Sequence, residues 1–151
     1  MARAIHDKGT RGGYPFIPIN CGAIPDTLIE NELFGHERGA YTGAQSNRPG
    51  LIAHAQCGTL FLDEVDALSP KAQVTLLRFF QDQHYSPLGG GVARYADVRV
   101  IVASNRDLTQ LAEKGEFQLD LLFRLNIWNL TPPPLRADHC AAAVLDGHVF
   151  R

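Results

Sequence analysis

Three short apolar runs, each halted by turn-forming or charged residues, constrain this chain more than any other feature. Residues 16–19 read Phe-Ile-Pro-Ile, residues 59–62 read Thr-Leu-Phe-Leu, and residues 98–103 are mostly β-branched. They lack the strict polar–apolar alternation of a strand with one wet face. Such runs suit strands covered on both sides, as in a parallel sheet flanked by helices. Residues 127–130 form a weaker fourth run.

Helix signals fill the gaps between the runs. Ser69 is a natural N-cap, and Pro70 fits the first helical position, where its missing N–H leaves no bond unmade. Val74, Leu77 and Phe80 recur at helical spacing, and Leu76 widens their apolar face. Asp107 caps a second helix, with Gln110 three residues on, Leu108 and Leu111 on one side, and Gly115 to stop it. Gly89-Gly90-Gly91, flanked by Tyr85, Leu88, Val92 and Tyr95, reads as a hairpin inserted before the third run. Pro132-Pro133-Pro134 closes the organised pattern. The order β-α-β-α-hairpin-β-α-α-β predicts an α/β domain.

Composition removes several functional classes. Lys plus Arg number 14 against 16 Asp plus Glu, a net charge of -2 without the basic excess of a dedicated nucleic-acid binder. No apolar run approaches the roughly 18 residues of a membrane span. Cys21, Cys57 and Cys140 have no paired spacing, and the N-terminus lacks a secretory core. The expectation is a cytoplasmic chain that neither binds DNA directly nor enters a membrane.

The sharpest chemical signal is Asp63-Glu64, which ends the second apolar run. Two carboxylates at the carboxyl end of a buried strand lie where α/β proteins bind ligands. There one acid can hold Mg²⁺ and its neighbour can polarise water; a solvated acidic turn is the plain alternative. Gly39-Ala40-Tyr41-Thr42-Gly43-Ala44 has too little side chain to build a core. It reads as a mobile loop displaying Tyr41 and Thr42, or as an ordinary glycine-rich turn. It is not a phosphate cradle, because no Gly-Lys-Ser/Thr ending follows. Asn105, just beyond the third run, can orient a water or a phosphate oxygen, or can serve only the turn. Arg124 stands in a mostly apolar helical stretch, as a snorkelling surface residue or as a contact to phosphate from a neighbouring subunit. The six histidines show no metal spacing and read as satisfied or solvated side chains.

In order and spacing, these segments together resemble the central AAA+ ATPase domain of bacterial sigma-54-dependent transcriptional activators. Residues 32–44 resemble the family signature, whose usual core is Gly-Ala-Phe-Thr-Gly-Ala. Residues 58–64 resemble its Walker B strand, and residues 98–108 its sensor I strand and exit. Phe123-Arg124-Leu125-Asn126 and Pro133-Pro134-Leu135-Arg136 match further blocks. The resemblance covers nearly all of residues 1–136. It implies a P-loop-type αβα sandwich with a mainly parallel sheet, followed by a divergent tail at 137–151.

The resemblance also implies roles. Asp63 would organise Mg²⁺ and Glu64 would activate the hydrolytic water. Asn20 would be the switch that holds Glu64 inactive, Asn105 would be sensor I, and Arg124 an arginine finger across a subunit interface. Gly39, Ala40, Tyr41, Thr42, Gly43 and Ala44 would grip sigma-54. ATP with Mg²⁺, the sigma-54 factor of RNA polymerase and a homo-oligomeric ring are the implied cofactors and partners.

The sequence departs from the family pattern at several points. The Walker A strand-loop and the α-helical lid have no counterpart, Gln118 stands at a usual arginine, and Tyr41 replaces a usual phenylalanine. Residues 2–6 resemble the helix just downstream of Walker A, so Met1 is expected to be an internal position of a longer frame. The expectation is a fragment of an ATP-dependent activator that remodels closed promoter complexes. The alternatives are a non-hydrolysing sigma-54 interaction fragment and an inactive gene remnant.

Overall fold

The computed structural model describes residues 1–125 and residue 130. Helix α1 (Ala2–Asp7) leads to strand β1 (Phe16–Asn20) and helix α2 (Asp26–Phe34). A ribbon of β2 (Gly35–His36) and β3 (Arg48–Pro49), helix α3 (Leu51–His54) and strand β4 (Thr59–Asp63) follow. Then come helix α4 (Pro70–Asp82), a second ribbon of β5 (His84–Tyr85) and β6 (Arg94–Tyr95), and strand β7 (Arg99–Val102). Helices α5 (Leu108–Glu113) and α6 (Leu119–Leu125) complete the described elements.

The three apolar runs form one parallel sheet in the order β1-β4-β7. Asn20 stands opposite Asp63 in the β1–β4 register, and Leu62 opposite Val102 in the β4–β7 register. The mixed α/β class expected from the runs is therefore observed. Strand β4 lies in the middle, and Thr59, Leu60 and Leu62 are completely buried. Ile19, Leu33, Ile52, Val65, Leu76 and Phe79 pack in the same core. The one polar side chain on β4 inside this core, Thr59, is satisfied by a 2.9 Å hydrogen bond with Nδ1 of buried His6 on α1.

Both helix caps read from the sequence are present. The Ser69 hydroxyl accepts from the Ala72 N–H at 3.4 Å. Asp107 accepts from the N–H groups of Thr109 and Gln110, and Gly115 takes the positive φ of 73° that ends the helix. The apolar face of α4 is placed differently. Val74 is a rim residue, 36% exposed, while Ala72, Gln73, Leu76, Leu77 and Phe79 are buried. The helix serves two cores at once. Ala72, Leu76 and Phe79 meet the sheet, whereas Leu77 joins Leu111, Phe117, Leu121 and Leu122 from α5, α6 and their connection. That double contact rotates Val74 out of both.

Gln73 occupies the seam between the two cores. Its Nε2 donates to the carbonyls of Leu68 at 2.8 Å and Glu116 at 3.3 Å, and its Oε1 accepts from the Gln118 N–H at 2.8 Å. A buried amide with three backbone partners ties α4 to the α5–α6 connection. The hairpin at 84–95 forms as expected. The ribbon β2–β3 was not expected, since two-residue strands carry no periodicity. The fourth run and the proline triplet fall outside the described residues, Leu130 apart, as does any boundary at 136.

Gln73→Leu should destabilise the fold by about 2 kcal/mol, because it leaves backbone groups buried without partners. Val74→Ala should change stability by less than about 1 kcal/mol. Urea unfolding midpoints of the two variants test this ordering.

Candidate active site and the Tyr41 loop

The carboxyl ends of the three parallel strands bring Asn20, Asp63, Glu64 and Asn105 to one edge of the sheet. Asn20 ends β1, and its Oδ1 accepts from the N–H groups of Gly22 at 2.8 Å and Ala23 at 3.1 Å, capping a 3-10 turn at Cys21–Ala23. Asp63 ends β4, and its Oδ1 accepts from the Glu64 N–H at 3.0 Å. Glu64 itself is in the left-handed region, at φ 52° and ψ 48°. A non-glycine residue held there costs about 1 kcal/mol or more, and such residues cluster at functional sites. The bend turns the Glu64 side chain back across Gly22, whose missing Cβ leaves the space that the Glu64 Oε2 fills. The Asn20 turn and the Glu64 carboxylate are thus in direct contact through a glycine.

Ser104 and Asp66 were not singled out in the sequence, yet they join two strand exits. The Ser104 hydroxyl donates to Asp66 Oδ1 at 2.6 Å and accepts from the Arg106 N–H at 3.1 Å. The Val65 N–H donates to the Ala103 carbonyl at 3.0 Å. These bonds fix the segment carrying Asn105, whose own side chain is exposed. The only sequence signal for the pairing is a serine after an apolar strand, which is too common to be decisive.

Cys21 lies directly beneath the acids and is 3% exposed. Burial pushes its thiol pKa up from 9.0 to about 12, and the negative charges of Asp63, Asp66 and Glu64 add to the shift. The thiol therefore reports an electronegative edge suited to a cation. Among the described residues, no group of three or more His, Cys, Asp or Glu side chains could hold a metal ion alone. A cation here would take its remaining ligands from water or phosphate, which is how Mg²⁺ is usually bound. The hard-oxygen donors fit that ion. They do not fit a triphosphate by themselves, because a glycine-rich loop with its lysine is not among the described residues.

Arg124 and the 39–44 loop lie away from this edge. Arg124 is exposed on α6, and its Nε and Nη2 donate to the Phe80 carbonyl at 3.2 and 2.9 Å. That carbonyl is in the last turn of α4, where acceptors lack helical partners and a cation is favoured. Gln118 does not take an outward position: its N–H is held by Gln73, and its Oε1 is buried without a partner.

The 39–44 segment is closed on itself. The Gly39 N–H donates to the Ala44 carbonyl at 2.9 Å, and the Ala44 N–H to the Tyr41 carbonyl at 3.0 Å. Tyr41 is 47% exposed, and its ring meets that of buried His36 edge-on, with centroids 5.1 Å apart. The loop base is docked on the second ribbon: the Glu37 N–H donates to the Leu88 carbonyl and the Leu88 N–H to the Gly35 carbonyl, both at 2.9 Å. Sequence reading found Tyr41 but not this platform, because His36 and Leu88 are 52 positions apart (88 − 36).

Among the described residues, no helix is long and apolar enough to cross a membrane. The profile of the Sigma-54 interaction domain family matches residues 1–131. The Nif-specific regulatory protein of Herbaspirillum seropedicae is 48% identical over 136 residues, which is 90% of this chain and 25% of that protein. The chain thus spans about a quarter of that relative's length. Crystalline NtrX from Brucella abortus, in complex with ATP, superposes with a TM-score of 0.81 at 33% identity, over 90% of this chain and 29% of NtrX. The P-loop NTPase domain of an Escherichia coli sigma-54 activator shares the fold, with a TM-score of 0.51 at 20% identity over 81% of this chain and 75% of that one.

The raised Cys21 pKa sets two expectations. At pH 8 the folded chain should hold about a thousandfold less Cys21 thiolate than the unfolded chain, so iodoacetamide should modify it at least about a hundredfold more slowly without urea than with it. The thiol's contribution to stability is full below pH 9.0 and is lost as pH rises towards about 12. Cys21→Ala should remove that part of the alkaline loss, as read from urea midpoints across this range.

Proposed function

The chain belongs to the Sigma-54 interaction domain family, and on that footing we propose that it is part of an ATP-dependent activator of sigma-54 RNA polymerase. Residues 1–136 form the portion that carries the hydrolytic acids and the sigma-54 loop, with 137–151 as a separate tail. The observation that carries this reading is one continuous path through the fold. The Cys21–Ala23 turn that Asn20 caps lies against Glu64 through Gly22 at the sheet edge, and α2 follows that turn and leads to β2, from which the Tyr41 loop emerges. A change at the carboxylates can reach the loop through a single rigid helix.

In this reading Asp63 would hold Mg²⁺, which would neutralise phosphate charge, and Glu64 orients and deprotonates the attacking water. Asn20 restrains Glu64 through the turn it caps, and Asn105 senses the terminal phosphate. Arg124 exchanges its Phe80 carbonyl for a phosphate on the neighbouring subunit of a homo-oligomeric ring. ATP supplies the free energy, and its triphosphate is held by a loop outside the residues described. The B. abortus NtrX complex with ATP supports the choice of nucleotide. Gly39 to Ala44 contact sigma-54, with Tyr41 as the anchor, since Ala40, Thr42 and Ala44 offer little apolar area. The chain acts in the cytoplasm and makes no direct contact with DNA.

Two substitutions test the two halves of this reading, assayed within a domain that includes a phosphate-binding loop. Glu64→Gln should retain ATP binding and lower phosphate release by about a hundredfold or more, since an amide cannot accept the proton of water. Tyr41→Ala should weaken sigma-54 capture in the presence of an ATP transition-state mimic by about thirtyfold, the loss typical of a buried aromatic anchor. Phosphate release by Tyr41→Ala should remain near wild type, and Tyr41→Phe should capture sigma-54 normally. Wild-type capture by Tyr41→Ala would remove the loop from the interface.

A further inference from the structure

We propose that His36, clamped by Asn31, is the positioning residue for the Tyr41 anchor. The proposal rests on the reading of residues 39–44 as the sigma-54 contact. Asn31 lies on the last turn of α2, and its Oδ1 is 2.7 Å from His36 Nδ1. That oxygen can only accept, so the His36 proton is on Nδ1 and the bond fixes the plane of the imidazole. The backbone beneath it is fixed as well. His36 pairs with Arg48 across β2–β3 and bridges to Leu88, while the Asn31 carbonyl accepts the Gly35 N–H. Only 7% of His36 is exposed, and its ring meets that of Tyr41 at 63°, with centroids 5.1 Å apart.

Among the described residues, His36 is the only aromatic partner of Tyr41. The rest of the loop cannot direct the phenol ring. Gly39 and Gly43 have φ of 83° and 103°, and a side chain at either would meet nothing within 4 Å. Ala40 packs against Gly89 but carries only a methyl group. Loop hydrogen bonds fix the Tyr41 backbone and leave χ1 open to its staggered wells. The edge-to-face contact selects among them. Its usual strength corresponds to about a three- to tenfold population bias, so the anchor meets its partner with less rotamer freedom to lose. The histidine combines an aromatic ring for the tyrosine with a polar atom that locks the ring in place. Phenylalanine would give only the ring, and glutamine only the lock.

The test has two readouts, ring NMR on the purified chain and capture of purified sigma-54 by the domain that includes a phosphate-binding loop, with the ATP transition-state mimic present. The first is the NMR cross-relaxation between the His36 and Tyr41 ring protons, present in wild type and in Asn31→Asp, and weakened in Asn31→Leu. Its absence in wild type, or full strength in Asn31→Leu, would overturn the proposal. The second is the sigma-54 dissociation constant. His36→Ala and Asn31→Leu should each weaken capture about three- to tenfold, Asn31→Asp should restore it, and His36→Phe should fall between. In a Tyr41→Leu background, His36→Ala should cause no further loss, because the histidine acts only through the ring. An equal loss in both backgrounds, or tighter capture by His36→Ala, would also overturn it. If His36→Ala proves unstable by thermal melting, Asn31→Leu and His36→Phe carry the same comparison. Wild-type capture by Tyr41→Ala would refute the loop reading instead, and the ring cross-relaxation would still decide whether His36 positions Tyr41.

Discussion

The hydrogen-bond ladder on both sides of β4 is the constraint on which the rest of the structure depends. A parallel strand satisfies its backbone groups only with neighbours to left and right, and burial of its two faces requires helices above and below. With β1 and β7 in register, Leu60 and Leu62 disappear from solvent, and the strand must end where its backbone turns out of the sheet. That ending is where Asp63 and Glu64 stand. The same burial that stabilises the core therefore delivers two carboxylates to an edge that water reaches. The left-handed bend at Glu64 and the cysteine beneath it follow from compressing three strand exits into one small area.

The parts of this design that follow from regular repetition were legible in the sequence. Continuous apolar runs gave the three strands of the sheet among the described residues, and local cap chemistry at Ser69, Asp107 and Gly115 placed the ends of two helices. Asn20, Asp63, Glu64 and Asn105 were legible because strand ends in a parallel sheet share an edge. The contacts that depend on one long-range partner were not. Val74 fits the periodicity of α4 as well as Leu76 does, and only the docking of α6 on the far side of that helix decides between them. The partners of Gln73 are backbone groups, which have no residue type to recognise.

Polar groups inside this small core fasten elements that apolar packing alone would leave free to slide. His6 pins α1 to the floor of β4 through Thr59. Arg11 reaches the carbonyls of Gly58 and Asp97 and the Asp97 carboxylate, holding the entrances of β4 and β7 together. Gln73 does the same for α4 and the connection before α6. Hydrophobic burial is non-directional, whereas these bonds have fixed geometry, so they set the register of elements whose burial would tolerate several. They sit at the ends and flanks of the sheet and leave the carboxylate edge clear.

Glycine composition at 39–44 suggests mobility, yet glycine has a second use that the neighbouring backbone makes visible. Gly35 and Gly50 approach so closely that a Cβ on Gly35 would collide with the backbone of Arg48 to Gly50 and one on Gly50 with the backbone of Leu33 to Gly35, and Gly35 takes a φ of 76°. That contact lets α2 turn directly into β2 and brings β3 against it, which closes the base of the loop. The Gly39–Ala44 and Tyr41–Ala44 hydrogen bonds then close its tip. Fixing the loop at base and tip restricts its backbone more than its composition alone implies. Small residues here give close approach and a defined bend. His36 is placed where the side chain of Tyr41 can be restricted in turn.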